Sequence, residues 1–142
     1  MSLVSDPKTA NLKYTFPKSE RLHSKKLIQE LFDKGSSFYL YPFKVIFLTQ
    51  ADHEQNEVLI SVSKRKFKNA VTRNLLKRKV KEAYRLNKNL LTTESQTFPK
   101  ALIGYIYTGN DILPYQTIEA KLKKSLLRLK KELTELSNKD QS

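Results

Sequence analysis

The chain has no cysteine and no tryptophan, and only three glycines and two histidines among 142 residues. Without cysteine there are no disulfides, thiolate metal sites or cysteine nucleophiles, a composition that fits a reducing compartment. The glycines, at 35, 104 and 109, are too scattered to build a phosphate-cradling loop of the GxGxxG or GxxxxGKS type. His23 and His53 lie far apart in sequence and read as exposed polar residues rather than as a metal pair. No segment approaches the roughly 18 uninterrupted apolar residues of a membrane span. MSLVSDPKTANLKYTF has no basic head followed by an apolar run, so no secretory signal is expected. Acids are few, and Glu30, Glu54, Glu57 and Glu82 fall on separate segments. No nucleophile–base pair or acid pair is placed for general acid–base work, which argues against a self-sufficient nuclease.

What the chain has is positive charge, unevenly spread. From Lys64 to Lys88 it reads KRKFKNAVTRNLLKRKVKEAYRLNK: eleven Lys or Arg against one acid, Glu82, a local charge of +10 in a chain that carries +13. Charge so concentrated repels itself unless a partner offsets it, and the commonest such partner is a phosphate backbone. An apolar content of 39%, with seven Phe and seven Tyr, is enough for one folded domain and not that of a disordered tail.

Residues 1–15 show no periodicity and read as a flexible arm, residues 16–136 as a single nucleic-acid-binding domain, and residues 137–142 as a disordered tail. Ser24 suits the N-cap of a short helix with Leu27, Ile28, Leu31 and Phe32 on one face, and Gly35 suits a left-handed stop. Phe43, Val45 and Phe47 alternate with Lys44, Ile46 and Leu48, as in a strand; ADHEQNE is a turn by composition. Val58, Ile60 and Val62 mark a second strand. A helix is predicted from about Ala70. At 100° per residue from Val71, Leu75, Leu76, Val80, Ala83 and Leu86 fall between about 40° and 180°, and Arg73, Asn74, Lys77, Arg78, Lys81, Arg85 and Lys88 between about 200° and 340°. Such a helix packs with one side and offers a cationic rail with the other; Tyr84 reads as packing. Lys64, Arg65 and Lys66 precede it, where side chains and backbone amides together suit phosphates. Ala101–Tyr107 is the next strand, 109–111 a turn, and Pro114 the first position of a last helix. Its seam of Tyr115, Ile118, Leu122, Leu126, Leu129, Leu133 and Leu136 covers a sheet or forms a coiled coil. A helix between two strands makes a crossover, so the fold class is α+β, a small sheet packed by helices.

Asn69 to Arg85, NAVTRNLLKRKVKEAYR, resembles the signature helix of the bacterial ribonuclease P protein component, with Arg73, Asn74, Lys77, Arg78, Lys81, Glu82, Tyr84 and Arg85 at matching positions. Arg21-Leu22, Phe32 to Gly35 and Ser61 to Lys64 follow that family's layout in order and spacing. The family's Arg-Asn-Arg triplet reads Arg-Asn-Leu here, ending in Leu75, so contacts made from the third arginine do not carry over. Phe67-Lys68 stands where the family often has a glycine. The resemblance implies a left-handed βαβ crossover through the basic helix, like that of ribosomal protein S5 domain 2. It implies an accessory role in a holoenzyme whose RNA subunit, with bound Mg²⁺, cuts the 5′ leader from precursor tRNA. The partners are then ribonuclease P RNA and precursor tRNA in the cytoplasm, with no membrane, no DNA and no cofactor held by the protein itself. It also implies a leader cleft between the first helix and the sheet, at Ile28, Phe32, Phe43 and Ile46. For Phe32 and Phe43, base stacking and ordinary core packing both stay open. The other reading is a basic ribosomal or RNA-assembly protein without a processing role. An apolar-lined groove beside the basic helix would separate the two.

Overall fold

A hydrophobic face on each element forces the layers to stack, and the chain does so in three. A computed structural model describes residues 15–49, 55–91 and 100–141, with side chains to Leu136. Residues 1–14, 50–54, 92–99 and 142 lie outside the described residues, and with them most of the expected 1–15 arm and of the expected ADHEQNE turn. A 3-10 turn, Lys18–Glu20, leads to α1 (Lys25–Lys34), β1 (Ser36–Leu40), β2 (Phe43–Thr49), β3 (Glu57–Val62), α2 (Ala70–Asn87), a second 3-10 turn at Lys88–Leu91, β4 (Ala101–Tyr107) and α3 (Tyr115–Gln141). The strands form one sheet in the order β1-β2-β4-β3. β1 pairs with β2 and β2 with β4 antiparallel, while β3 runs parallel to β4, so α2 is the crossover that parallel pairing requires.

Side chains opposite one another in a ladder share a face. Phe38, Phe43, Val45, Phe47, Val58, Val62, Ile103, Tyr105 and Tyr107 all turn to the layer of α2 and α3, where Leu76, Val80, Tyr84, Ile118, Leu122 and Leu126 close the main core. The seam of α3 is therefore spent on the sheet, the first of the two uses open to it. Tyr105 is fully buried there; its hydroxyl donates to Ser125 Oγ at 2.8 Å, because Ser125 spends its own proton on the Leu122 carbonyl at 2.6 Å. Burial pushes the Tyr84 and Tyr105 phenols far above their ordinary range. On the other face Ile46 and Leu102 meet Leu22 and Leu31, with Leu27, Ile28, Leu59 and Ile106 at the margin. Gly104 makes room for this layer: a Cβ there would stand 3.3 Å from Leu31 Cδ2.

The strand read from the Phe43–Leu48 alternation is β2, and β1 pairs with it as a hairpin across a cis Tyr41–Pro42 bond. Three expectations change. Gly35 is extended, at φ −71° and ψ 153°, because α1 runs straight into β1. Glycine is needed there for closeness and not for handedness, since a Cβ would lie 2.5 Å from the Leu31 carbonyl oxygen. Pro114 sits just before α3, its carbonyl accepting from the Thr117 and Ile118 amides. The backbone of α3 stays helical to Gln141, into the stretch expected to be a disordered tail.

Candidate nucleic-acid interface

The loop into α2 is held from within. Ser63 Oγ accepts from the Arg65 and Lys66 amides at 3.1 and 3.4 Å, and the Ser63 carbonyl accepts from the Phe67 amide. Phe67 then anchors the loop against Tyr107, with ring centroids 6.1 Å apart. Asn69 caps α2, its Oδ1 accepting from the Val71 amide at 2.8 Å. The Arg65 and Lys66 amides are thus already engaged by Ser63. The side chains of Lys64, Arg65, Lys66 and Lys68 remain exposed, with Lys66 Nζ tied to the Thr108 carbonyl at 2.5 Å.

On α2 the buried side chains are Leu76, Val80, Ala83 and Tyr84. They centre near 165° on the wheel, not near 110° as the apolar residues alone suggest. The turn follows from Tyr84, whose ring packs on Phe16 at 5.3 Å and on Tyr105 at 6.5 Å and draws its side of the helix inward. Val71, Leu75 and Leu86, counted with the apolar face, are left exposed, Val71 at 75%. The outward arc thus carries Asn74, Arg78, Lys81 and these three apolar residues, with Lys77 half-buried at its edge. A shallow depression at Val71, Asn74, Leu75 and Arg78 lies on this arc.

Three of the cations predicted on the helix also have internal partners. Arg73, near the buried arc, donates through Nη1 to the Phe67 and Lys68 carbonyls, each at 2.9 Å, and so laces helix to loop. Arg85 grips Glu82 in a two-pronged pair, Nε to Oε2 at 3.0 Å and Nη2 to Oε1, which lowers the Glu82 carboxyl below its ordinary range. Lys88 is not on the helix rail at all. It opens the 3-10 turn after α2 and reaches back to Glu20 at 2.7 Å and to the Thr15 carbonyl, with the two paired side chains 12% and 18% exposed. Its charge holds the N-terminal segment and is spent before any RNA arrives.

The cleft residues divide. Ile28 and Phe32 stand on α1, Ile28 half-buried and Phe32 46% exposed. Ile46 is 5% exposed beneath the end of α1. Phe43 is fully buried on the opposite face of the sheet, its ring 5.4 Å from Tyr105 and 6.2 Å from Tyr107. It is core, because it shares the parity of Val45 and Phe47. A groove of about 200 Å³ does lie beside the basic helix. Lys81 borders it from α2, and Phe16, Leu22, Val58, Leu59 and Ile60 line it with Arg21 and His23. Arg21 stacks over Phe16 at 5.3 Å and makes an isolated bridge to Val58, so the segment before α1 forms one wall. Lys68 and this wall escaped the sequence reading; the wall depends on a bridge between residues 21 and 58 that has no local signal. Among the described residues no group of three His, Cys, Asp or Glu could hold a metal ion, and no helix is long and apolar enough to cross a membrane.

Comparison with known proteins agrees with this geometry. A family model described as Ribonuclease P matches residues 16–130. The chain is 36% identical over 126 residues to the ribonuclease P protein component of Porphyromonas gingivalis, covering 85% of this chain and 90% of that one. Against the ribonuclease P protein component of Petrotoga mobilis the figures are 31% over 121 residues, with 84% and 95% covered. Among solved structures it is similar to the RNase P protein from Thermotoga maritima, with a TM-score of 0.64 at 25% identity over 77% of this chain and 96% of that one. It shares the fold of the Staphylococcus aureus RNase P protein, with a TM-score of 0.65 at 24% identity over 82% and 99%.

Proposed function

Because this chain belongs to the ribonuclease P protein family, we propose that it binds the catalytic RNA through the outward arc of α2 and the Lys64–Lys68 loop, and steadies the 5′ leader of precursor tRNA in the groove between α2 and the segment before α1. The observation that carries this reading is the join at Lys81. There a cationic surface meets an apolar-lined groove, where phosphates and unstacked bases can be held side by side. A basic ribosomal or assembly protein needs the first surface and has no use for the second. The chemistry is assigned to the RNA subunit with its Mg²⁺, since the acids best placed here, Glu20 and Glu82, are committed to Lys88 and Arg85. The cytoplasm, where precursor tRNA is processed, is the corresponding location.

Reconstitution tests this. Protein alone should leave precursor tRNA intact, and protein added to a bacterial-type ribonuclease P RNA should raise processing at low Mg²⁺. Cleavage by RNA-free protein that disappears in point mutants would overturn the assignment. A substitution tests the surface: Leu75→Arg should strengthen binding to ribonuclease P RNA. It should also steepen log K against log salt by about 0.7–0.9, the contribution of one further phosphate contact, measured by binding titrations across salt concentrations.

A further inference from the structure

Residues 15–22 border two hollows with different side chains. Phe16, Arg21 and Leu22 line the groove that Lys81 borders. Glu20 lines a second hollow, of about 220 Å³, together with Tyr84, Lys88 and Lys100. The segment closes on itself: Arg21 Nε donates to the Phe16 carbonyl at 3.1 Å, and the Arg21 amide to the Lys18 carbonyl at 3.1 Å. Its only strand-like pairing among the described residues is at Val58, whose carbonyl accepts from the Leu22 amide at 2.9 Å. Toward α2 it rests on the Tyr84 ring through Phe16 and on one cation, Lys88. That cation donates both to Glu20 and to the Thr15 carbonyl, so it grips the segment near each end.

We infer that the Glu20–Lys88 pair sets the position of the groove's wall, which makes Lys88 a positioning residue for leader selectivity and not an RNA contact. This rests on the leader-groove reading proposed above. A mostly buried ion pair is a weak source of stability, because desolvating both charges offsets most of their attraction, and an apolar pair of similar size does as well. What an apolar pair lacks is direction. Lys88 donates to a side chain at one end of the segment and to a main-chain oxygen at the other, which fixes its tilt as well as its place. The segment needs this because the second hollow leaves space on its Glu20 flank, and β3 holds it at Val58 alone. A wall free to shift into that space would draw Phe16 and Arg21 back from the groove. Contact attraction falls steeply with such a gap, and a base held against that wall would be released.

The test sets holoenzyme affinities for precursor and mature tRNA beside thermal melts of the protein. Glu20→Leu combined with Lys88→Met replaces the pair by apolar side chains of similar size. This double variant should melt close to the wild type and bind ribonuclease P RNA with the same salt slope. It should nevertheless lose about fivefold of the preference for precursor, within the usual coupling between neighbouring groups. Lys88→Arg, which can still donate to both partners, should keep the preference. If the double variant folds and prefers precursor as the wild type does, the pair only holds the fold together; the positioning role is wrong and the groove reading survives. Should it fail to fold, Glu20→Gln decides by the same ratio: a reduced preference supports the role and an unchanged one overturns it. If the wild type binds precursor and mature tRNA alike, the groove reading falls and the positioning role with it.

Discussion

Reversing Lys77, Arg78 and Lys81 together to glutamate should weaken binding to ribonuclease P RNA at least about a hundredfold and flatten its salt dependence. About six phosphate contacts give a slope of log K against log salt near −4 to −5, and losing three should make it shallower by about 2 to 3. The fold should survive, since Arg78 and Lys81 are exposed and Lys77 is half-buried without closing the core. Arg73 is a poorer choice for this experiment. Its guanidinium holds the Phe67 and Lys68 carbonyls, so Arg73→Glu would loosen the loop as well as remove a charge. Lys88→Ala is the useful contrast: it strands a mostly buried Glu20, so it should lower stability and leave the salt slope as it was. Titrations across salt with parallel thermal melts separate the cases. An unchanged slope in the triple variant would move the RNA surface off α2.

Phe43→Ala should cost about 3–5 kcal/mol of stability, the usual range for emptying a fully buried aromatic site. The ring makes edge contacts with Tyr105 and Tyr107, and behind them Phe67 braces the loop into α2, so the loss spreads toward the interface. The folded fraction should still prefer precursor over mature tRNA as the wild type does. Chemical denaturation together with both affinities checks this. A variant of unchanged stability that lost the preference would return Phe43 to the cleft.

Why Phe43 was read both ways is instructive. In a sheet with one wet face, alternation tells inside from outside. Here helices cover much of both faces, so apart from Lys44 the second set, Ile46 and Leu48, is as apolar as Phe43, Val45 and Phe47, and parity alone does not say which layer each set meets. The elements with strong local signals were legible: Ser24 does cap α1, α2 does begin at Ala70, and β4 does span Ala101–Tyr107. The basic helix was legible as an element, and Tyr84 as packing, but how far Tyr84 turns the helix depends on Phe16 and Tyr105, which are distant in sequence. Lys88 was misread for the same reason. Its partner is 68 residues away, and nothing near it in sequence announces the pairing.

The strand order carries a consequence for synthesis. β4 lies between β2 and β3, so when a ribosome has made the first hundred residues the sheet is still a hairpin with β3 unattached to it. The sheet face that backs the groove is incomplete at that stage, although the cationic helix has already been synthesised. Contacts between segments so distant in sequence form late and slowly. On the proposed function, the nascent chain would carry its phosphate-binding charge before its leader site is complete, and selectivity would follow only once residues 101–107 are in place.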